Sequence, residues 1–419
     1  MDILRSLGQR KLLILISLTV VAYLAAINRA QAFVWVIPAL LLAVLITGIS
    51  WPRWLVRRLA VSRIGPSRAE EGQSIVFRIE VQNQGWLPRF MVELVDRLPS
   101  FDNPAIADGM SERTLGMLAY LPGGRSRQFD IPVLCEKRGH YRIGPIGLAS
   151  SFPLGLTEAR QQRGDGIQTL TVYPELFPIL ALPLRGAPSQ IHRGGYLLPE
   201  GAGAAEFSGL REYRRGDNPR HIHWPTTARL NELMVREYEP LASACVYILL
   251  DQATWSNAGH GRDSTFEYAV KIAASIARST CNQNIRTRLA GSGAHPLHIP
   301  PGNSPAHFQT ILDTLAVVDC DGKTLYAAMI DSVTADCLRG ETAIVFISEP
   351  AAYLTDTLRA IAALRARQVH ILAVVFDRSS FDPQASNAKH AATVGALLEL
   401  GADCIEVRCG DKLVQLFNP

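Results

Sequence analysis

A chain of 419 residues, 48% apolar and only 7% aromatic, is too long for one ordinary core and too apolar to be disordered, so two soluble domains beside an anchor are expected. The formal charge of +4 is unevenly spread: residues 1–63 hold Arg5, Arg10, Lys11, Arg29, Arg53, Arg57, Arg58 and Arg63 against Asp2 alone, a net +7 that leaves −3 elsewhere. The basic excess flanks apolar segments, where lipid headgroups attract it, and no basic face remains to track nucleic-acid phosphates.

Residues 12–27 and 32–49 are two uncharged apolar runs of bilayer-crossing length, joined by Asn28-Arg29-Ala30-Gln31, which predicts a helical hairpin anchor over 1–58. Arg10 and Lys11 before the first run, and Arg53, Arg57 and Arg58 after the second, place both chain termini on the cytoplasmic side. Trp51 and Trp54 sit where interfacial anchors are expected. Ala30-Gln31-Ala32 resembles a signal-peptide cleavage site, but the second run would still stop transfer.

From 59 to 180 the pattern changes to short alternating runs, clearest at 74–81 and 128–133, separated by turn signals such as Asn83-Gln84-Gly85 and Pro122-Gly123-Gly124. This predicts an antiparallel β-sandwich with no catalytic spacing, either a spacer or a loop-borne binding module. The seven cysteines (Cys135, Cys245, Cys281, Cys320, Cys337, Cys404, Cys409) are scattered, odd in number and without a C-x-x-C pair, as expected of reduced thiols.

The segment 181–240 carries the densest motif, Leu210-Arg211-Glu212-Tyr213-Arg214-Arg215-Gly216-Asp217-Asn218-Pro219-Arg220-His221-Ile222-His223-Trp224, running on to Arg229 and to Val235-Arg236-Glu237-Tyr238. Its alternating guanidinium and carboxylate groups suit bidentate pairing, and Gly216-Asp217-Asn218-Pro219 signals a turn. Charged pairs and Trp224 either lock the segment against the next domain or form a surface for a partner. Arg211, Glu212, Tyr213, Gly216, Asp217, Arg220, His223, Trp224 and Arg229 are the candidate partner-binding residues. The rival reading is a metal-dependent hydrolase using Asp217, His221, His223 and Asp251, although His-x-His supplies no third ligand and no nucleophile.

From 241 to 419 near-continuous apolar strands ending in acids (245–251, 342–349, 369–377) alternate with helices near 266–279 and 353–367, the pattern of a doubly wound parallel α/β sheet. Asp251, Glu349 and Asp377 then gather where such sheets bind ligands, while neither nucleotide-binding glycine signature is present. This region resembles a von Willebrand factor A domain, whose first strand typically ends in Asp-x-Ser-x-Ser. Here the positions read Asp251-Gln252-Ala253-Thr254-Trp255, so the acid is kept and both hydroxyls are lost. Asp251 and Glu349 mark a degenerate place for Mg2+; hard cations need several oxygens, and no resident cofactor is expected.

The motif also resembles the signature of the bacterial family known as domain of unknown function fifty-eight: Leu-Arg-Glu-Tyr, Gly-Asp, Arg-x-Ile-x-Trp, Ala-Arg, then a Val-Arg-Glu-Tyr strand entering the A-like fold. Arg138-Gly139-His140-Tyr141, Phe152-Pro153-Leu154-Gly155-Leu156 and Val172-Tyr173-Pro174 match upstream. His223 replaces an Asp of many members, and Pro225 a Lys or small residue. The resemblance implies a non-enzymatic, multi-pass inner-membrane adaptor working with a MoxR-type AAA+ ATPase, beside transglutaminase-like membrane proteins, in assembling or remodelling complexes. A cation-dependent peptide receptor is a third reading.

Overall fold

A computed structural model describes residues 2–27, 32–99, 110–162, 167–180, 205–213, 222–230, 232–240, 245–294, 296–385 and 390–418. The chain is mixed α+β and divides into two units, Met1–Tyr173 and Pro174–Pro419.

The first unit opens with α1 (Asp2–Ile27), a short 3-10 turn at Ala32–Trp35, and α2 (Val36–Val56). Two stretches, Arg10–Ile27 and Phe33–Val56, are long and apolar enough to cross a membrane. Their hydroxyl side chains are satisfied within the helix: those of Ser17, Thr19, Thr47 and Ser50 donate to Ile14, Leu15, Ala43 and Ile46 carbonyls at 2.6–2.8 Å. The helices pair, with Tyr23 edge-on to Trp35 at 5.5 Å.

Ten short strands follow among the described residues: β1 (Leu59–Ile64), β2 (Arg68–Glu70), β3 (Ser74–Asn83), β4 (Arg89–Pro99), β5 (Met110–Leu121), β6 (Ser126–Leu134), β7 (Gly139–Ile143), β8 (Gly147–Ser150), β9 (Ala159–Gln162) and β10 (Gln168–Tyr173). They form sheets ordered β1-β3-β6, β2-β10-β7 and β5-β4-β8-β9, antiparallel apart from β2 beside β10. The expected two-residue period is met in β3, where Ile75, Phe77, Ile79, Val81 and Asn83 are buried. Asn83 pins the turn after it: Nδ2 donates to Leu87 O at 2.9 Å, and Oδ1 accepts from Gly85 N–H at 2.9 Å. A buried ion pair, Arg63 to Asp96, joins β1 to β4. The core takes in the end of α2, since Leu55 and Val56 pack with Leu59, Val81, Leu94 and Leu148. Trp54 belongs to this packing too, with the Arg89 guanidinium 3.9 Å from its ring, so of the two expected interfacial tryptophans only Trp51 faces outward.

The second unit begins with the hairpin of β11 (Ala205–Glu212) and β12 (Met234–Pro240), with α3 (Trp224–Leu230) between them. Then come β13 (Cys245–Leu250), the small ladder of β14 (Gly259–His260) and β15 (Asp263–Ser264), α4 (Thr265–Asn282), β16 (Arg286–Ser292), β17 (Pro296–Gly302), α5 (Pro305–Val317) and α6 (Tyr326–Thr334). After these follow β18 (Thr342–Ile347), α7 (Ala351–Ala366), β19 (His370–Phe376), α8 (Arg378–Phe381), α9 (His390–Glu399), β20 (Asp403–Val407) and α10 (Leu413–Leu416). Among the described residues one sheet runs β17-β16-β13-β18-β19-β20, parallel except for the edge strand β17.

All residues of β13, β18 and β19 are buried, which is why their sequences read as unbroken apolar runs. Cys245, Tyr247 and Leu249 share a cluster with Ile330 and Ile361 from α6 and α7, and α4 packs on β13 and β16. Ser264 caps α4 by accepting from Glu267 N–H at 3.3 Å. The strand at 234–240, which leads into this domain, pairs with β11.

Candidate functional site

The motif segment is a hairpin with an excursion. Glu212 lies opposite Met234 and Arg211 opposite Val235; beyond the strand, Tyr213 N–H donates to Leu233 O at 2.8 Å. The chain comes back onto β12 at Ile222, which bridges Val235, and His223 N–H donates to Met234 O at 2.8 Å. Gly216, Asp217, Arg220 and His221 lie outside the described residues.

His223 stands immediately before α3 and its carbonyl accepts from Thr227 N–H at 3.0 Å, the first helical bond. Its ring Nδ1 lies 2.8 Å from the Thr226 hydroxyl. An Asp at this position would cap the helix by accepting from its backbone N–H groups, whereas the His223 ring meets the Thr226 side chain. Pro225 is tolerated because N–H groups of a first turn have no helical partner. Thr227 Oγ1 ties the helix to β12 by accepting from Met234 N–H at 3.0 Å.

α3 buries none of its side chains: Trp224 is 64% exposed and Leu230 56%, and Arg229 and Glu212 are exposed too. The expectation that Trp224 locks the segment by packing is therefore corrected, because its indole lies in solvent. Tyr213 is half-buried.

The second place is the sheet's carboxyl edge. The chain winds outward from β13 through β16 to β17, then returns to β18 and winds the other way, so the crevice where direction reverses lies above β13 and β18. Asp251 follows β13 and Glu349 follows β18, and both are buried. The backbone shapes the Asp251 turn: Oδ1 accepts from Ala253 N–H at 3.0 Å, Thr254 N–H donates to Gly322 O at 3.0 Å, and Gly322 N–H to Gln252 O at 2.9 Å. Gly322 is needed there, since a Cβ would fall 2.1 Å from Ser292 O.

Burial pushes the Asp251 carboxyl up to about 6, against the opposing effects of the Ser256 hydroxyl, the Ala253 N–H and the Arg378 charge. Burial likewise raises Glu349 to about 7, with the Asp251 charge adding to the rise and Thr357 and Arg378 opposing it. Glu349 Oε2 accepts from the Thr357 hydroxyl, whereas Glu349 Oε1 and Asp251 Oδ2 have no hydrogen bond. Ser256 is close enough to favour ionised Asp251, yet its hydroxyl makes no bond of good geometry. Asp377 differs: it accepts from Ser379 Oγ at 2.7 Å and lies 3.6 Å from Arg408 Nε, a structural role beside α8.

Arg378 was not among the sequence candidates, although its position just after a strand-ending acid was a usable signal. Its Nη1 donates to the carbonyls of Ser256 (2.8 Å), Trp255 (3.4 Å) and Ser348. Ser348 Oγ donates to Ser256 O at 2.7 Å, and Trp255 stacks on Tyr353 at 5.1 Å. A divalent cation does not fit this donor set. The motif's hydroxyl positions hold a methyl and an indole, Thr254 is exposed, and a guanidinium already supplies positive charge beside the two acids. Among the described residues no group of three or more His, Cys, Asp or Glu could hold a metal ion.

Residues 209–385 match the family described as Protein of unknown function DUF58. The chain is therefore similar to DUF58 proteins over that segment, from the motif hairpin through most of the second unit. The DUF58 match begins in β11 and ends just beyond α8, so it takes in most of the hairpin, both buried acids and Arg378. Over 112 residues the chain is 30% identical to YeaD of Bacillus subtilis (strain 168), covering 27% of this chain and 26% of that protein. The chain thus spans about a quarter of that relative's length.

Among solved structures it is similar to the CARDB domain of PF1109 from Pyrococcus furiosus (13% identical, TM-score 0.21, 28% of this chain and 94% of that one). It is also similar to proximal thread matrix protein 1 from the mussel byssus (12%, 0.30, 42% and 46%) and to the pilus adhesin SpaC of Lactobacillus rhamnosus GG (11%, 0.32, 42% and 30%). TM-scores of this size carry no structural argument.

Proposed function

We propose that this protein is a membrane-anchored adaptor of the bacterial inner membrane, both termini cytoplasmic, which presents the hairpin around α3 to a MoxR-type AAA+ ATPase. The observation that carries this reading is the exposure of Trp224, at 64%, on a helix that buries no side chain of its own within the family-matched segment. A large exposed indole beside an arginine is the composition of a binding hot spot. In the same reading the second unit is a doubly wound, von Willebrand A-like domain, supported by its strand order and antiparallel edge, and the first unit's strands form a β-sandwich. A transglutaminase-like membrane protein is a further partner within the same assembly.

The hydrolase reading has less support. His223 is engaged by Thr226 at an α-helix start, and Asp251 is buried with its charge opposed by Arg378. The adaptor reading is tested by co-purifying the tagged full chain from solubilised membranes after mild crosslinking. An AAA+ ATPase recovered with the wild type and lost with Trp224→Ala and Arg229→Ala supports it. An ATPase retained by both variants moves the contact elsewhere, and hydrolytic turnover by the purified chain replaces the adaptor with an enzyme.

A further inference from the structure

The loop between β8 and β9 opens with the uncharged run Ser151-Phe152-Pro153-Leu154-Gly155-Leu156, which exposes Phe152 (38%) and Leu154 (44%). It is fixed to the side of α2. The Thr157 hydroxyl donates to Gly48 O at 2.9 Å, and a Cβ on Gly48 would meet Leu156 Cδ1 at 2.6 Å and Leu154 Cδ1 at 3.4 Å. Glycine at 48 is therefore what lets the loop reach the helix backbone.

The depth of that contact decides what the loop meets. Gly48 lies eight residues before the end of α2 at Val56 and five before Arg53, which places it about 12 Å and about 8 Å along the helix axis from those residues. One turn on from Gly48, on the adjoining face of the helix, Trp51 is 40% exposed. Where α2 crosses a bilayer with Arg53, Arg57 and Arg58 at the headgroups, a loop held at Gly48 sits at the boundary between headgroups and acyl chains. Interfacial apolar elements bury by about 5–10 Å at that level.

We infer that residues 151–156 are a third membrane-contacting element, a wedge whose Phe152 and Leu154 insert into the lipid interface beside α2. The inference rests on the reading of α2 as a membrane span. The loop's exposed Phe152 and Leu154 lie beside α2 at the level of Gly48, and their occupant is the bilayer itself. A soluble partner at this place would have to displace lipid from the helix it borders.

The test is photo-crosslinking of the full chain in nanodiscs of phosphatidylethanolamine and phosphatidylglycerol, with benzoylphenylalanine replacing Phe152, Leu42 or Val76 in turn. Leu42 lies within α2 and reports on spanning. Val76 is exposed on β3 seven residues from Asn83, about 23 Å further along the strand from the α2 end. Lipid adducts at 152 and 42 but not at 76 are expected. Adducts at 42 without any at 152, or protein adducts alone at 152, overturn the wedge and leave the span standing. Adducts at neither 42 nor 152 overturn both.

Discussion

Glu349 offers the sharpest test of the electrostatics at the sheet edge. The residue is 7% exposed, and burial lifts its carboxyl from an ordinary 4.5 to about 7. At about 1.36 kcal/mol per pH unit, ionising it costs the folded chain about 3 kcal/mol more than the unfolded chain. Between pH 4.5 and 7 the folded state keeps a proton that the unfolded state has lost, so this stability is present below 4.5 and is lost as pH rises to 7. Glu349→Gln removes that dependence. The amide oxygen can still accept from Thr357, while the amide nitrogen takes the unpartnered Oε1 position at a pH-independent cost of about 1–3 kcal/mol. Urea unfolding of the full chain in detergent, followed by circular dichroism, should show the variant gaining about 3 kcal/mol relative to wild type between pH 4.5 and pH 8. A difference between variant and wild type that stays constant over that range would refute the reasoning.

Four further outcomes are expected. Arg378→Met removes the donor to three carbonyls and the cation beside two buried acids, and should lower stability by about 3 kcal/mol or more in thermal melts. In the wild type, exchanging EDTA for Mg2+ should leave the melting temperature unchanged; a rise would mean that the donor set holds a metal after all. His223→Asp should stabilise the start of α3 by about 1 kcal/mol, visible as slower amide exchange at Thr226 and Thr227. Arg63→Met leaves Asp96 buried without its partner and should cost about 3–5 kcal/mol, much of which Asp96→Leu in the same chain should restore; no recovery in the double variant would refute the pairing.

How much was legible depended on whether a signal was local. The apolar runs of β13, β18 and β19 announced themselves because parallel strands covered on both faces need no polar residues. The alternation of β3 was equally plain. The β11–β12 hairpin was hidden because its two strands are separated by the longest charged stretch of the motif, and charge says nothing about which strand pairs with which. The buried acids Asp251 and Glu349 were readable from their place after strands. Arg378 had one signal, its place just after the strand-ending acid Asp377, while the backbone carbonyls it binds at Ser256 and Ser348 leave no residue pattern in the segments it touches. Trp54 misled for a related reason: a tryptophan near a membrane end has the same sequence context whether it faces lipid or, as here, the domain core.

The passage of α2 into the core of the first unit has a mechanical consequence. Leu55 and Val56 are at once the last turn of a lipid-length helix and part of the packing that holds the β-strands, so there is no linker in which rotation could be absorbed. Helices accommodate bilayers of different thickness chiefly by tilting. On the proposed reading of α2 as a membrane span, a change of helix tilt becomes a change in the attitude of the folded β-strands joined to it, which makes the thickness of the surrounding membrane an input to the domain.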